Sequence, residues 1–149
     1  MISLDSSTVI CQPVRQVFDF VSTPENDVGW HYGTLAASKL SEGIPSKGTF
    51  FRSLGHWMGR RNLSTFEVIE YEPSQKYGFK SLSGPLSSQT SYSLGMGDNG
   101  CTNINISIEA DVVDFFQIDE SILAEKMQKQ LKEDLAMLKD LLEAKSFAG

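Results

Sequence analysis

Hydrophobic and polar residues alternate with two different periods along this chain. In the last thirty or so residues, apolar side chains recur three to five positions apart, with charged residues between them. This spacing predicts a long amphipathic helix from Asp119 to Lys145. Its apolar stripe comprises Ile122, Leu123, Met127, Leu131, Leu135, Leu138 and Leu142. A helix of about 27 residues is roughly 40 Å long and needs a broad surface to pack against.

The rest of the chain shows mostly the two-residue period of strands. A first strand is predicted at Ile2–Ile10, and short helices are predicted to begin at Pro13 and Pro24. Six further strands follow, separated by short turns, of which Asn99-Gly100 is the clearest hairpin signal. They are predicted at Leu35–Leu40, Thr49–Met58, Leu63–Tyr71, Tyr77–Leu82, Ser88–Met96 and Thr102–Val112.

This order of elements indicates an α+β fold. Connections as short as these favour an antiparallel meander. We therefore expect a curved antiparallel sheet of about seven strands wrapped around the long C-terminal helix, with two short helices after the first strand. The chain has 149 residues, 40% of them hydrophobic, so a single domain spanning 1–149 is predicted.

Charge and composition narrow the classes of partner. The net charge of -6 argues against nucleic acid or an anionic membrane surface, because both require a concentrated positive field. The sequence contains no apolar run of transmembrane length and no signal-peptide pattern, so we expect a cytoplasmic protein without stable membrane insertion. With two cysteines and two histidines, no metal site and no cofactor are predicted. The oligomeric state stays open.

The two cysteines follow the first predicted strand and precede the last. If these strands pair antiparallel, in a register that sets Ile10 against Thr102, then Cys11 and Cys101 lie opposite each other. Because a reducing compartment is expected, the prediction is nevertheless two free thiols.

Five segments carry a resemblance to a known family. They are Pro13–Val21, Trp30, Gly48–Phe50, Phe66–Pro73 and Leu135–Lys139. These segments are similar to the polyketide cyclase/dehydrase and lipid-transport group, and the order of elements resembles the helix-grip fold of the START-like (SRPBCC) superfamily. The resemblance implies a cavity between sheet and helix that binds or transports a lipid, an isoprenoid or an aromatic polyketide-like molecule. The alternative that it implies is a cyclase or dehydratase whose polar cavity residues transfer protons.

Large apolar side chains are available for the wall of such a cavity. An aromatic lining that contains methionine suits a flat or flexible apolar ligand. The predicted ligand-binding residues are Trp30, Phe51, Trp57, Phe66, Tyr77, Phe79, Tyr92, Met96, Met127, Leu131 and Leu135. The alternative is that these side chains pack as an ordinary core.

Four polar residues are candidates for catalysis: Arg52, His56, Glu67 and Tyr92. Strand alternation puts Arg52 and His56 on one face but does not decide whether that face points inward. If it does, the guanidinium and the imidazole could hold a carboxylate or polarise a carbonyl. If it does not, both are surface residues, which the usual exposure of charged residues favours. Glu67 is expected on the outer face of the sheet. Of Tyr77 and Tyr92, Tyr92 is the stronger candidate for a hydroxyl donor into the cavity. His31 is interpreted as a loop residue.

Overall fold

The computed structural model describes residues 1–57, 59–112 and 119–148, and its seven strands form one antiparallel sheet. The strands are β1 Ile2–Ile10, β2 Thr34–Lys39, β3 Phe50–Trp57, β4 Arg60–Glu72, β5 Lys76–Ser83, β6 Leu86–Met96 and β7 Thr102–Val112. Their order across the sheet is β1-β7-β6-β5-β4-β3-β2. The predicted meander is therefore confirmed, and the first strand joins it beside the last.

Three helical segments accompany the sheet. Helix α1 spans Val14–Val21, a 3-10 helix spans Pro24–Gly29, and the long helix α2 spans Glu120–Ala148. Pro24 is the first residue of the 3-10 helix, as predicted, whereas Pro13 is the N-cap residue of α1, which begins one residue later than predicted. A proline at either position loses no intrahelical hydrogen bond. Among the described residues, no helix combines the length and the hydrophobicity of a membrane-spanning segment.

The buried side of α2 consists of leucines at helical spacing. Five of them are at most 5% exposed, and Met127 packs half-buried against the same core. The five are Leu123, Leu131, Leu135, Leu138 and Leu142. Each such side chain contributes about 1.5 to 3 kcal/mol through the apolar surface that it removes from water. Ile122 is 49% exposed, so its predicted place in the stripe is wrong. Leu123 continues the stripe four and eight residues before Met127 and Leu131, and its neighbour points away.

The opposing surface comes from the concave face of the sheet. Ile104 and Ile106 of β7 are each 1% exposed and alternate with polar residues that face outward. Ile2 and Leu4 of β1 continue the same apolar layer. Strand alternation thus produces one dry face, and α2 covers it.

The C-terminal part of α2 is fastened to the end of β1 by hydrogen bonds. The backbone N–H of Cys11 donates to Glu143 Oε2 at 2.9 Å, and Gln12 Nε2 donates to the Leu142 carbonyl at 2.9 Å. Thr102 Oγ1 donates to the Gln12 carbonyl at 2.7 Å, which ties β7 to the same point. The Gln12 and Thr102 side chains are buried, so these bonds satisfy groups that would otherwise be costly inside the protein.

The two cysteines form a disulfide at this same end of the sheet. Ile10 pairs with Thr102, as in the register that places the cysteines opposite each other, and the Cα atoms of Cys11 and Cys101 are 4.0 Å apart. The prediction of two free thiols is therefore wrong. It relied on an expected compartment, whereas the register of two flanking strands decides whether the sulfurs meet.

The turn before β7 has the conformation that its Asn-Gly sequence predicts. Asn99 and Gly100 have φ values of 57° and 76°, in a 3-10 turn that spans Asp98–Gly100. Asparagine and glycine tolerate this left-handed conformation better than other residues, so the predicted hairpin between β6 and β7 is confirmed.

Candidate ligand-binding site

Five aromatic side chains meet on the concave face of strands β3 to β6. They are Phe51, Phe66, Tyr77, Phe79 and Tyr92, and we call them the aromatic cluster. Cross-strand pairing brings them together, since Phe51 is opposite Phe66 and Tyr77 is opposite Tyr92. The rings of Phe51 and Phe66 stack with centroids 5.0 Å apart, and Phe79 meets both edge-on at 5.2 and 5.3 Å. Each such ring pair adds about 0.5 to 1.5 kcal/mol beyond the burial of its area.

A pocket of about 210 Å³ adjoins this cluster at Phe66, and we call it the serine pocket. Its polar wall includes Ser53, Ser64 and Ser88, and its apolar wall includes Phe66 and Leu86. Ser53 and Ser64 are paired across β3 and β4, two residues along from Phe51 and Phe66. Because side chains two residues apart share a face, the pocket opens on the concave side of the sheet.

Two glycines keep the strands close around the serine pocket. A Cβ atom on Gly55 would come within 2.6 Å of the Gly33 carbonyl oxygen, and a Cβ on Gly84 would collide with Ser64 Oγ. Gly84 also has a φ of +132°, which side chains rarely tolerate. The turn after β5 can therefore approach β4 only because it has no side chain at this position.

A groove of about 370 Å³ lies between the 3-10 helix, β2 and α2, and we call it the helix groove. Its polar centre is Asp134, which is 8% exposed although it is a carboxylate. Asp134 Oδ1 accepts hydrogen bonds from the Tyr32 backbone N–H at 3.1 Å and from Gln130 Nε2 at 2.8 Å. Its Oδ2 lies 3.8 Å from His31 Nδ1, too far for a direct hydrogen bond but close enough to orient the imidazole.

His31 connects this carboxylate to the aromatic cluster. Its Nε2 lies 3.4 Å from the hydroxyl of Tyr92, a residue that is 1% exposed. With the ring proton on Nδ1, facing Asp134, Nε2 is free to accept the Tyr92 hydroxyl proton. Tyr92, His31 and Asp134 thus form a chain of polar groups from the sheet interior to the helix groove.

Burial sets the protonation states along this chain. It lowers the pKa of His31 from 6.5 to about 4, so the imidazole is neutral at neutral pH. Burial also raises the pKa of Tyr92 well above its usual value, and nearby Asp27 adds to that rise. The pKa of Asp134 is raised because burial outweighs its hydrogen bonds from Gln130 and Tyr32. The interior therefore presents a protonated phenol beside a neutral imidazole.

Two further polar groups lie close to the chain. The Asp27 carboxyl has a pKa raised well above its usual value, mainly by burial and then by Glu25. Burial also raises the pKa of Tyr77, and the charge of Asp27 adds to that rise. Trp30 is 2% exposed, and its ring lies tilted against that of His31 with centroids 3.8 Å apart. Its buried indole Nε1 has no hydrogen-bond partner in the part of the chain described. An unpaired buried donor is costly, so an acceptor on a bound molecule would stabilise it.

Most predicted cavity residues lie on the inner face or in the core beside it. The aromatic cluster accounts for five of them, Trp30 contacts Tyr92 with ring centroids 6.1 Å apart, and Leu131 and Leu135 are buried in α2. Met96 does not belong with them, because it ends β6 and is 83% exposed. The side chain of Trp57 lies outside the described residues.

The charged candidates do not meet inside. Arg52 is exposed on the outer face, so the arrangement in which it enters the cavity beside His56 is wrong. Glu67 is on the outer face, as expected, with its Oε1 3.7 Å from Lys80 Nζ. His56 is half-buried at the edge of the serine pocket, where its Nε2 lies 3.2 Å from the Tyr32 carbonyl. A β-strand separates alternate residues onto opposite faces, and here the face with Phe51 is the inner one.

The sequence analysis does not predict the three serines of the pocket or Asp134 as site residues, and it interprets His31 only as a loop residue. Asp134 carries a usable signal, since it follows Leu131 by three residues and so falls on the buried side of α2. The serines carry no such signal, because only the strand register shows that they share a pocket. His31 becomes interpretable only once β6 places Tyr92 beside it.

The composition of both cavities restricts the ligands that they suit. Neither is lined by a lysine or an arginine in the part of the chain described. Within residues 1–57, 59–112 and 119–148, no three histidine, cysteine, aspartate or glutamate side chains are placed to hold a metal ion. The available chemistry is apolar contact, hydrogen bonding by neutral groups and by the carboxylates of the helix groove, and proton transfer through His31.

Comparison with known proteins agrees with this architecture. A family model described as polyketide cyclase / dehydrase and lipid transport matches residues 1–143. No curated protein matches the chain.

Solved structures share the fold at low sequence identity. A START superfamily protein from Mycobacterium smegmatis has a TM-score of 0.74 at 13% identity, with 97% of both chains covered. TTHA0849 from Thermus thermophilus has a TM-score of 0.74 at 16% identity, covering 98% of this chain and 97% of that one. The di-domain ARO/CYC StfQ from the steffimycin biosynthetic pathway has a TM-score of 0.70 at 15% identity, covering 96% of this chain and 45% of that one. At these identities the likeness concerns the fold alone.

Proposed function

Because the chain belongs to the polyketide cyclase / dehydrase and lipid transport family, we propose that it binds a small hydrophobic molecule on the concave face of its sheet. The observation that carries the proposal is the serine pocket, an unfilled space on the concave face whose apolar wall continues into the aromatic cluster. Pockets that bind small molecules are typically concave and mostly apolar, with a few polar groups that fix orientation.

The sizes of the side chains support this location. Along β3, the inner face changes from the bulky Phe51 to Ser53 and then to Gly55, and along β4 it changes from Phe66 to Ser64. The large rings fill one end of the concave face with protein atoms, whereas the small residues leave the other end open. A ligand that enters this end makes apolar contact with Phe66 without displacing the core.

Adjacent serines on β6 provide a direct test. Ser88 faces the pocket and Ser87 is exposed on the opposite face of the sheet. Ser88→Phe is expected to fill the pocket and weaken binding of N-phenyl-1-naphthylamine, a neutral hydrophobic fluorophore, at least tenfold in a fluorescence titration. Ser87→Phe adds the same ring outside the pocket and should leave the dissociation constant unchanged.

Circular dichroism would show that both variants retain the fold. Equal affinity of the wild type and Ser88→Phe would place the fluorophore outside this pocket and reject the proposal in this form.

The second candidate function is proton-transfer catalysis of the cyclase or dehydratase type. The chain from Tyr92 through His31 to Asp134 favours it, because an oriented neutral imidazole beside a hydroxyl is the usual arrangement of a general base. A substrate in the helix groove, which His31 lines, would pass a proton to the neutral imidazole, and the Tyr92 hydroxyl beside Nε2 would help to orient the ring. The resulting imidazolium would face the Asp134 carboxylate.

This candidate requires His31 to be neutral at neutral pH. Its ring signals in a ¹⁵N NMR titration should move with a midpoint near pH 4, since burial disfavours the charged ring. Above that pH the folded protein holds the neutral base, whereas an unfolded chain would bind the proton already near 6.5. His31→Gln identifies the signal by its loss. A midpoint at or above 6.5 would contradict the lowering of the His31 pKa by burial, and a midpoint above about 7.5 would leave the ring mostly protonated at neutral pH and exclude it as the base.

A further inference from the structure

The hydroxyl groups of the three serines in the serine pocket are not used by the described part of the fold. Ser53, Ser64 and Ser88 are half-buried, and none of their hydroxyl groups makes a hydrogen bond to another residue in the described part of the chain. By contrast, Ser81 nearby uses its hydroxyl fully, donating to the Leu86 carbonyl at 3.0 Å and accepting from the Ser88 backbone N–H at 2.8 Å. The three hydroxyls are thus available to a bound molecule.

Their positions bring them to one space from separate strands. Ser53 and Ser64 face each other across β3 and β4, and Ser88 reaches the same pocket from β6. A serine hydroxyl can rotate to donate or to accept, so a group with both capacities, such as a phenol or an alcohol, can bond to more than one of them.

The absence of charged side chains from the described lining of the pocket favours a neutral ligand. Its described lining contains no aspartate, glutamate, lysine or arginine, and His56 at its edge is the one titratable residue among those described. Moving a carboxylate or an ammonium group out of water into such surroundings is costly without a countercharge. A neutral hydroxyl costs far less and regains its hydrogen bonds from the serines.

The apolar side of the pocket favours an aromatic ring in the ligand. Phe66 lines the pocket and stacks on Phe51, with an angle of 20° between the two rings. This flat surface suits another flat ring. We infer that the pocket recognises a neutral hydroxylated aromatic molecule, with its ring against Phe66 and its hydroxyl group among the three serines. This inference rests on the proposed function and specifies the ligand class of the same site.

Three small probes separate the parts of this inference. Naphthalene, 2-naphthol and 2-naphthoate share one ring system and differ in carrying no polar group, a neutral hydroxyl or a carboxylate. In competition with N-phenyl-1-naphthylamine, 2-naphthol is expected to bind about tenfold more tightly than naphthalene, and 2-naphthoate more weakly than both. The double variant Ser64→Ala/Ser88→Ala should remove the advantage of 2-naphthol and leave naphthalene unchanged.

The matched control is Ser87→Ala, which removes an exposed hydroxyl from the opposite face of β6 and should alter none of the three affinities. The inference is overturned if 2-naphthol and naphthalene bind equally to the wild type, if 2-naphthoate binds best, or if the advantage of 2-naphthol persists in the double variant. In those cases binding of the fluorophore itself still supports the proposed function. If the fluorophore and all three probes fail to bind, the proposed function fails as well.

Discussion

Removing the Cys11–Cys101 disulfide is expected to lower the free energy of unfolding by about 4 kcal/mol. The bond joins residues 90 positions apart, so it restricts the unfolded chain over most of its length. In the folded state it costs little rearrangement, because β1 and β7 already hold the two residues opposite each other through a continuous ladder from Ile2 to Ile10. The stabilisation therefore comes mainly from the unfolded state in the chain-entropy description.

The measurement is urea denaturation of the wild type and Cys11→Ser/Cys101→Ser under oxidising conditions. The same pair in a reducing buffer is the control, where the two proteins should have nearly equal stability. A difference below about 1 kcal/mol under oxidising conditions would contradict the expected contribution of a loop of this length.

Leu138→Ala is expected to lower the free energy of unfolding by about 3 kcal/mol. Leu138 is 0% exposed and lies between Leu135 and Leu142 on the buried, leucine-lined side of α2, which we call the leucine stripe. Truncation removes apolar contacts and leaves a cavity that the surrounding core can fill only in part. The other leucines on this side of α2 are unchanged in the variant, so the loss is confined to one contact region between α2 and the sheet.

Met137→Ala is the matched control for this change. Met137 precedes Leu138 in the same helix but is 52% exposed, so its truncation should cost less than about 1 kcal/mol. Thermal or urea unfolding followed by circular dichroism gives both values. Comparable losses for the two variants would mean that α2 does not use the leucine stripe as its buried face.

The sequence allowed the architecture to be predicted because its signals are local. The period of α2, the alternation in β7 and the Asn99-Gly100 turn each depend on a few neighbouring residues and need no knowledge of the rest of the fold. Even the pairing of Ile10 with Thr102 follows once β1 and β7 are taken as neighbours. These features agree with one another, which is why they determine a single arrangement.

The site depends on information that alternation alone does not contain. On β3, both faces include apolar residues, so the sequence could not decide whether Phe51 or Arg52 points inward. The pairing of Phe51 with Phe66 in the core decides this, and it moves Arg52 to the surface. The contact between His31 and Tyr92 joins residues 61 positions apart, and no local pattern predicts it.

The most direct test of the proposed binding function is mass spectrometry of the freshly purified protein under native and denaturing conditions. The wild type and Ser87→Phe should carry an extra mass that is lost on denaturation, either from a copurified molecule or after incubation with N-phenyl-1-naphthylamine. Ser88→Phe should carry much less of it, because the new ring occupies the space beside Phe66. A wild type that carries no extra mass even after incubation, or a Ser88→Phe variant that carries as much as the wild type, would contradict ligand binding at this site.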